Sequence, residues 1–256
     1  MIRVGVVGAT GKMGRAVCTA ILGAPDLDLV AAVSRTAAGT SVAEVLGLTG
    51  TDLVYTDALQ SVADAGTDVL VDFTSAAFAP EHIAWGIEHG VHVVEGTTGF
   101  AVDETWRAAP VGIVLAPNFA IGAVLMLRFA EQAARYLDAA EVLDLHHDQK
   151  RDAPSGTAIA TAEVIAAARQ GDRAPPGGDD AHPGARGTDI DAIRVHSIRL
   201  PGLLAHHEVI FGGPGQTLTI RHDSTDRTSF MPGVLMAIRW VPGHPGLTLG
   251  LEGLLD

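Results

Sequence analysis

The sequence predicts an α/β protein: a Rossmann-type parallel sheet domain, then an α+β substrate-binding domain with an open mixed sheet. Three observations predict it. Through the first 118 residues, apolar runs of strand length alternate with helical stretches, the pattern of a right-handed, doubly wound sheet. The first run ends in a glycine-rich turn, Gly8-Ala9-Thr10-Gly11-Lys12-Met13-Gly14, that opens a helix. After Asn118 the pattern changes to a long helix, a lone strand, a second helix and three alternating runs separated by Gly or Pro.

In chain order, residues 3–7 read as a buried parallel strand, and 15–22 as the amphipathic helix after the turn. Residues 27–33, 68–73, 91–95 and 111–115 read as further strands, with a helix over about 80–89. Beyond Asn118, helices are expected over 121–136 and 157–169, and strands over 142–147, 193–200, 205–211 and 216–222. Residues 171–187, rich in Gly, Pro and Asp, read as an exposed excursion. A helix over 231–240 and a short tail close the chain. The expected organisation is a dinucleotide-binding domain over 1–118, to which 229–256 returns, and a substrate-binding and oligomerisation domain over 119–228.

Composition narrows the function. At 256 residues and 47% hydrophobic, the chain can bury one large core or two small ones. A net charge of −13 argues against binding nucleic acid or anionic membranes, so an anionic ligand needs local cations and backbone N–H groups. No signal-peptide pattern or membrane-length apolar run is evident. The single cysteine, Cys18, shares helical spacing with Met13, Val17 and Ile21 and reads as a core residue. The expectation is a cytoplasmic protein without nucleic-acid or membrane partners. Of the 17 basic residues only Lys12 and Lys150 are lysines, and both fall inside the two motifs that carry chemistry.

The glycines of 8–14 suit a tight turn, close approach of backbone to a pyrophosphate, and packing of helix on strand. The free N–H groups at the helix start then face the phosphates. The spacing is GxxGxxG, and a glycine pattern alone is also compatible with a structural turn. Its position after the first strand favours the cofactor reading. Where the second strand ends, an acid would accept from the ribose of NAD; here Ser34 and Arg35 stand instead. Arg35 reads either as a solvated surface residue or, with Lys12, as a partner for the 2′-phosphate of NADP.

The richest stretch is His146-His147-Asp148-Gln149-Lys150-Arg151-Asp152-Ala153-Pro154-Ser155-Gly156-Thr157. Two histidines close a strand and a lysine follows. Ser155, Gly156 and Thr157 then open a helix whose N–H groups and hydroxyls suit a carboxylate. Ser155 also reads as a plain N-cap, and the two roles are compatible. Without a cysteine cluster or HExxH, a metal site is not expected.

This HHxxKxDxPSGT segment resembles the 4-hydroxy-tetrahydrodipicolinate reductase (dihydrodipicolinate reductase) family. So do residues 8–14, Asp72-Phe73-Thr74, Gly96-Thr97-Thr98-Gly99 and Ala116-Pro117-Asn118-Phe119. The segments 221–224 and 226–230 are similar to its actinobacterial members. The resemblance implies that Gly8, Ala9, Thr10, Gly11, Lys12, Met13, Phe73, Gly96, Thr97, Thr98, Ala116, Pro117, Asn118 and Phe119 line the cofactor. It implies His146 as proton donor and acceptor, Lys150 as the second catalytic group, and His147, Gly156 and Thr157 as carboxylate ligands. The implied activity is NAD(P)H-dependent reduction of 4-hydroxy-tetrahydrodipicolinate, a small cyclic dicarboxylate, to tetrahydrodipicolinate and water, in diaminopimelate and lysine biosynthesis. Members are commonly homotetramers built through the second sheet. Here Val209 and Phe211 alternate on one face of a strand, as do Leu218 and Ile220.

Ser34 and Arg35 depart from the acidic residue that members often carry, and they predict NADPH over NADH. Two rivals remain at this point. One is another imine or amino-acid dehydrogenase, against which the HHxxKxDxPSGT segment speaks. The other is a non-catalytic dinucleotide sensor, which needs the glycine turn but not His146 or Lys150.

Overall fold

In the computed structural model the described residues are 1–137, 139–169 and 181–255. Their chain order is β1 (Ile2–Val7), α1 (Lys12–Leu22), β2 (Leu27–Val33), α2 (Val42–Leu46), α3 (Gln60–Asp64), β3 (Val69–Asp72), α4 (Ala79–His89), β4 (His92–Glu95) and β5 (Gly112–Leu115). There follow α5 (Ile121–Ala134), β6 (Ala139–His146), α6 (Gly156–Ala168), β7 (Thr188–Ile190), β8 (Ile193–Arg199), β9 (Ala205–Gly213) and β10 (Gln216–Ser224), then α7 (Met231–Trp240) and β11 (Gly246–Leu249). The fold separates into one unit of 1–119 with 227–256 and another of 120–226.

The first unit carries a six-stranded sheet in the order β11-β5-β4-β3-β1-β2, parallel throughout. Its strands are almost continuously apolar. Val4, Val6, Val69, Leu70, Val71, Val93, Val94, Ile113 and Val114 are fully buried, as expected of a sheet covered on both faces. The chain runs from β1 to β2 on one side, then to β3 on the other. That places the topological switch between β1 and β3, where doubly wound sheets bind ligands at their carboxyl ends. Cys18 lies in this core, and burial pushes its thiol up to about 12, far from a reactive thiolate.

The second unit is a five-stranded mixed sheet, β10-β9-β6-β8-β7. Only β6 and β8 run parallel; the other neighbours are antiparallel. One face packs on α5 and α6. Val142, Val195, Val209 and Phe211 meet Ala130, Ala134, Ala158, Ala162 and Ile165 in a single cluster. Leu218 and Ile220 pair with Phe211 and Val209 and so lie on this same helix-covered face. The opposite face bears Leu143, Ile198 and Ile210, which line a shallow cavity of about 750 Å³ with Gly184 and Gly187.

Several elements differ from the sequence expectation. The tail contains β11, which pairs with β5 at the sheet edge; four residues are too few to carry a periodic signal. The five-residue helices α2 and α3 and the three-residue β7 escape notice for the same reason. Helix α5 stops at Ala134 rather than near Tyr136, and β6 begins at Ala139, ahead of its most apolar part. Of the expected excursion over 171–187, residues 171–180 lie outside the described residues, and 181–185 are exposed. Among the described residues no helix is long and apolar enough to cross a membrane.

Candidate active site

At the carboxyl end of β1, Gly8 turns the chain with a φ of +70°, and the Gly11 N–H donates to its carbonyl at 2.9 Å. Gly14 brings α1 down onto this turn: a Cβ there would stand 2.2 Å from the Gly8 carbonyl oxygen. Gly11 caps α1 without a side-chain acceptor, so the helix start presents its N–H groups and dipole to an anion. This is a cradle a side chain would fill, and it fits a dinucleotide pyrophosphate.

The adjoining cavity of about 470 Å³ brings together Gly8, Thr10, Gly11, Ser34, Arg35 and Phe73. Thr36, Asp57, Phe78, Glu81 and His82 also line it and were not anticipated from sequence. Ser34 is buried, and its hydroxyl lies 2.7 Å from Thr10 Oγ1 and 3.3 Å from Thr36 Oγ1. Arg35 lays its guanidinium over the Phe78 ring at 4.6 Å from the centroid, which steadies it beside the cleft. Lys12, at the first position of α1, is exposed and not part of the lining.

Phe73, after β3, meets Phe119 edge-to-face at 5.5 Å. Gly96, after β4, is packed on the same ring: a Cβ there would come 2.0 Å from Phe73 Cε1. Thr97 donates its backbone N–H to Glu95 Oε1 at 2.6 Å, which shapes residues 96–98. Ala116 and Phe119 are buried at the end of β5, with Pro117 and Asn118 between them.

In the second unit, His146 is the last residue of β6, and its Nδ1 lies 2.9 Å from Asp144 Oδ1. Asp144 is fully buried. Its Oδ2 accepts from the Ser155 N–H at 2.9 Å, from Arg199 Nη2 at 2.9 Å and from the Ser197 hydroxyl at 3.3 Å. Burial pushes its carboxyl up, but His146, Arg199 and Ser155 outweigh that and hold it far below the ordinary range. A fixed anion at Nδ1 favours the tautomer with its proton there and leaves Nε2 for chemistry. The sequence reading passed over Asp144. Its signal was the period of two, which puts Asp144 on the same strand face as His146.

Ser155 is the N-cap of α6, its Oγ accepting from the Ala158 N–H at 3.2 Å. With Ser155 so engaged, the next two N–H groups, of exposed Gly156 and half-buried Thr157, are placed for a carboxylate. Lys150 forms an ion pair with the exposed Asp152 at 2.7 Å. Such a surface pair is weak, so the ammonium can exchange it for a ligand carboxylate. The Lys150 N–H also donates to the His147 carbonyl at 3.2 Å, closing the turn between them. Behind Asp144, His207 is buried with Nε2 unpartnered, and desolvation pushes it down to about 4, so it is neutral near pH 7. Among the described residues no group of three His, Cys, Asp or Glu side chains could hold a metal ion.

Together these features fit a class, the two-unit NAD(P)H-dependent oxidoreductases, with a glycine-rich turn on a parallel sheet in one unit and a carboxylate-held histidine beside a helix start in the other. Residues 2–119 match the family described as dihydrodipicolinate reductase, N-terminus, and residues 122–255 match dihydrodipicolinate reductase, C-terminus. The chain belongs to the dihydrodipicolinate reductase family. A 4-hydroxy-tetrahydrodipicolinate reductase of Nocardia farcinica is 49% identical, covering 100% of this chain and 99% of its own, and one of Corynebacterium diphtheriae is 46% identical. The dipicolinate-bound dihydrodipicolinate reductase of Paenisporosarcina sp. superposes with a TM-score of 0.86 at 39% identity, covering 99% of each chain. An amine dehydrogenase of Mycobacterium smegmatis, at 15% identity and a TM-score of 0.63, shares the fold.

Proposed function

We propose that the chain reduces 4-hydroxy-tetrahydrodipicolinate to tetrahydrodipicolinate with NAD(P)H, releasing water, as a cytoplasmic step of diaminopimelate and lysine biosynthesis. The observation that carries the reading is Asp144, which joins His146 to the start of α6 through Ser155, so that proton donor and anion site are set by one buried group. The relative solved with dipicolinate, a planar ring with two carboxylates, supports a substrate of that shape.

When bound, the nicotinamide supplies the hydride. The turn at residues 8–14 holds the pyrophosphate, and residues 73, 96–98 and 116–119 wall the cofactor. Gly156, Thr157 and His147 bind a substrate carboxylate, and Lys150 leaves Asp152 to neutralise the dicarboxylate. His146 acts as the imidazolium: Asp144 keeps the Nδ1 proton, the Nε2 proton passes to the carbon of the reduced ring, and the imidazole is left neutral until solvent reprotonates Nε2. Purified protein mixed with NADPH and freshly generated substrate is the test. Loss of the nicotinamide absorbance is expected, and no loss beyond a substrate-free control overturns the reading.

Two finer points belong to it. NADPH is preferred over NADH because Arg35 stands at the cleft with no carboxylate at position 34; Asp57 and Glu81 on the same wall keep that preference modest. The chain assembles as a homotetramer through the second sheet, whose helix-free face carries Leu143, Ile198 and Ile210. A monomer mass by light scattering at micromolar protein overturns the tetramer.

A further inference from the structure

Below the cofactor turns lies a buried acid pair that the mechanism does not use. Asp72 and Glu95 end neighbouring strands β3 and β4, are register partners, and are both fully buried. Asp72 is fully engaged: Oδ1 accepts from the Thr74 N–H at 2.7 Å, and Oδ2 lies 2.5 Å from His82 Nδ1. Among the described residues no cation pairs with Glu95. Its Oε1 accepts from the Thr97 N–H, and its Oε2 is buried without a protein donor. Two carboxyl groups buried at partnered strand ends favour the state in which one of them keeps its proton. Burial, then the charge of Asp72, push Glu95 up to about 9, so it is uncharged at neutral pH.

The two carboxyls thus clamp both turns, Asp72 through Thr74 and Glu95 through Thr97. The titratable groups facing Glu95 are Asp72 on β3 and, through Asp72, His82 on α4; its register partner on β5 is Leu115, which is apolar. His82 also lines the dinucleotide cavity.

We infer that Glu95 is a positioning residue of the dinucleotide site, acting as an uncharged acid that holds the turn at residues 96–98 in its cofactor-binding shape. The inference rests on the dinucleotide reading given above. When Glu95 ionises, repulsion from Asp72 opens the pair, and a second negative charge sits beneath a turn that must receive an anionic cofactor. Cofactor affinity therefore falls at alkaline pH.

The test is direct binding of NADPH and of NADH, followed by nicotinamide fluorescence from pH 7.5 to 10. Wild type, Glu95→Gln and Glu95→Leu are compared, with thermal unfolding recorded for each. One pH unit above its midpoint only about one tenth of Glu95 is neutral, so wild-type affinity for both cofactors should fall about tenfold by pH 10. Glutamine keeps the acceptor for Thr97 and a donor for Asp72 but cannot ionise. Glu95→Gln should therefore restore binding lost in Glu95→Leu and show a flat profile. An alkaline loss in Glu95→Gln equal to wild type overturns the inference, even if Glu95→Leu does not fold. So does wild-type affinity in a folded Glu95→Leu. If wild type binds neither cofactor at pH 7.5, the dinucleotide reading itself falls and takes the inference with it.

Discussion

Asp144 in the mixed-sheet unit and Glu95 in the parallel-sheet unit begin from the same situation and end in opposite states. Each is fully buried near the carboxyl end of a strand, and each accepts a backbone N–H from the segment that follows, Ser155 or Thr97. Their neighbours differ. Asp144 has Arg199 at 2.9 Å and His146 at 2.9 Å, so it stays ionised. Glu95 has the anionic Asp72 and, among the described residues, no paired cation, so it keeps its proton. Burial pushes both carboxyls up; His146, Arg199 and Ser155 reverse that for Asp144, whereas Asp72 reinforces it for Glu95. A permanent anion can orient a histidine, as Asp144 does His146, whereas a neutral acid can hold the turn at residues 96–98 without setting a second charge beside Asp72.

The largest effect that would break this comparison is loss of Asp144. Asp144→Ala leaves the Arg199 side chain, 17% exposed, without its carboxylate partner, and should cost roughly 3–5 kcal/mol in denaturant unfolding. A loss below about 1 kcal/mol, the value of a surface pair, would show that Arg199 finds water instead.

On the chemistry that Asp144 serves, His146→Ala should lower kcat by about two to four orders of magnitude while NADPH still binds. Lys150→Ala should also lower kcat substantially with NADPH binding nearly intact, and His147→Ala and Thr157→Val should chiefly raise KM for substrate. Near wild-type turnover in His146→Ala would remove it as proton donor.

The two carboxyls should also move stability in opposite directions with pH. Asp144 is depressed, so its contribution is complete above the unfolded carboxylate range and is lost as pH falls through that range and below it. Glu95 is raised to about 9, so its contribution is greatest below the ordinary carboxyl value of 4.5 and is lost progressively as pH rises towards 9. Asp144→Asn should therefore flatten the acid limb of a melting-temperature profile and Glu95→Gln the alkaline limb. Glu95→Gln should gain roughly a few degrees on wild type between pH 5 and pH 9. If both variants parallel wild type across the range, the contrast between the carboxyls is lost.

The smallest expected effect is at the cleft wall. Arg35→Ala should remove most of a roughly tenfold preference for NADPH over NADH in kcat/KM, equivalent to about 1.4 kcal/mol. Ser34→Asp should turn the preference towards NADH. Equal use of both cofactors by wild type at fixed ionic strength would show that neither residue reads the ribose.

Much of the site was legible because its residues are close in sequence. Residues 8–14 and 146–157 are local motifs whose spacing alone places glycines on a turn and His, Lys and Ser-Gly-Thr around a helix start. Asp144 lay two residues from His146, yet its role needed Arg199, 55 positions further on. The short elements β7, β11, α2 and α3 were missed because tertiary pairing rather than periodicity creates them.

By itself, then, the sequence determined the alternation of strand and helix, the glycine-rich turn at residues 8–14 and the strand-to-helix segment at residues 146–157, since each depends on local spacing and backbone chemistry. The tertiary structure alone decided that Leu218 shares the helix-covered face with Phe211, that Arg35 stacks on Phe78, and that Lys150 is paired with Asp152. It alone decided that Asp144 is charged and Glu95 is not, because a buried group's charge depends on which side chains the fold brings within a few ångströms of it.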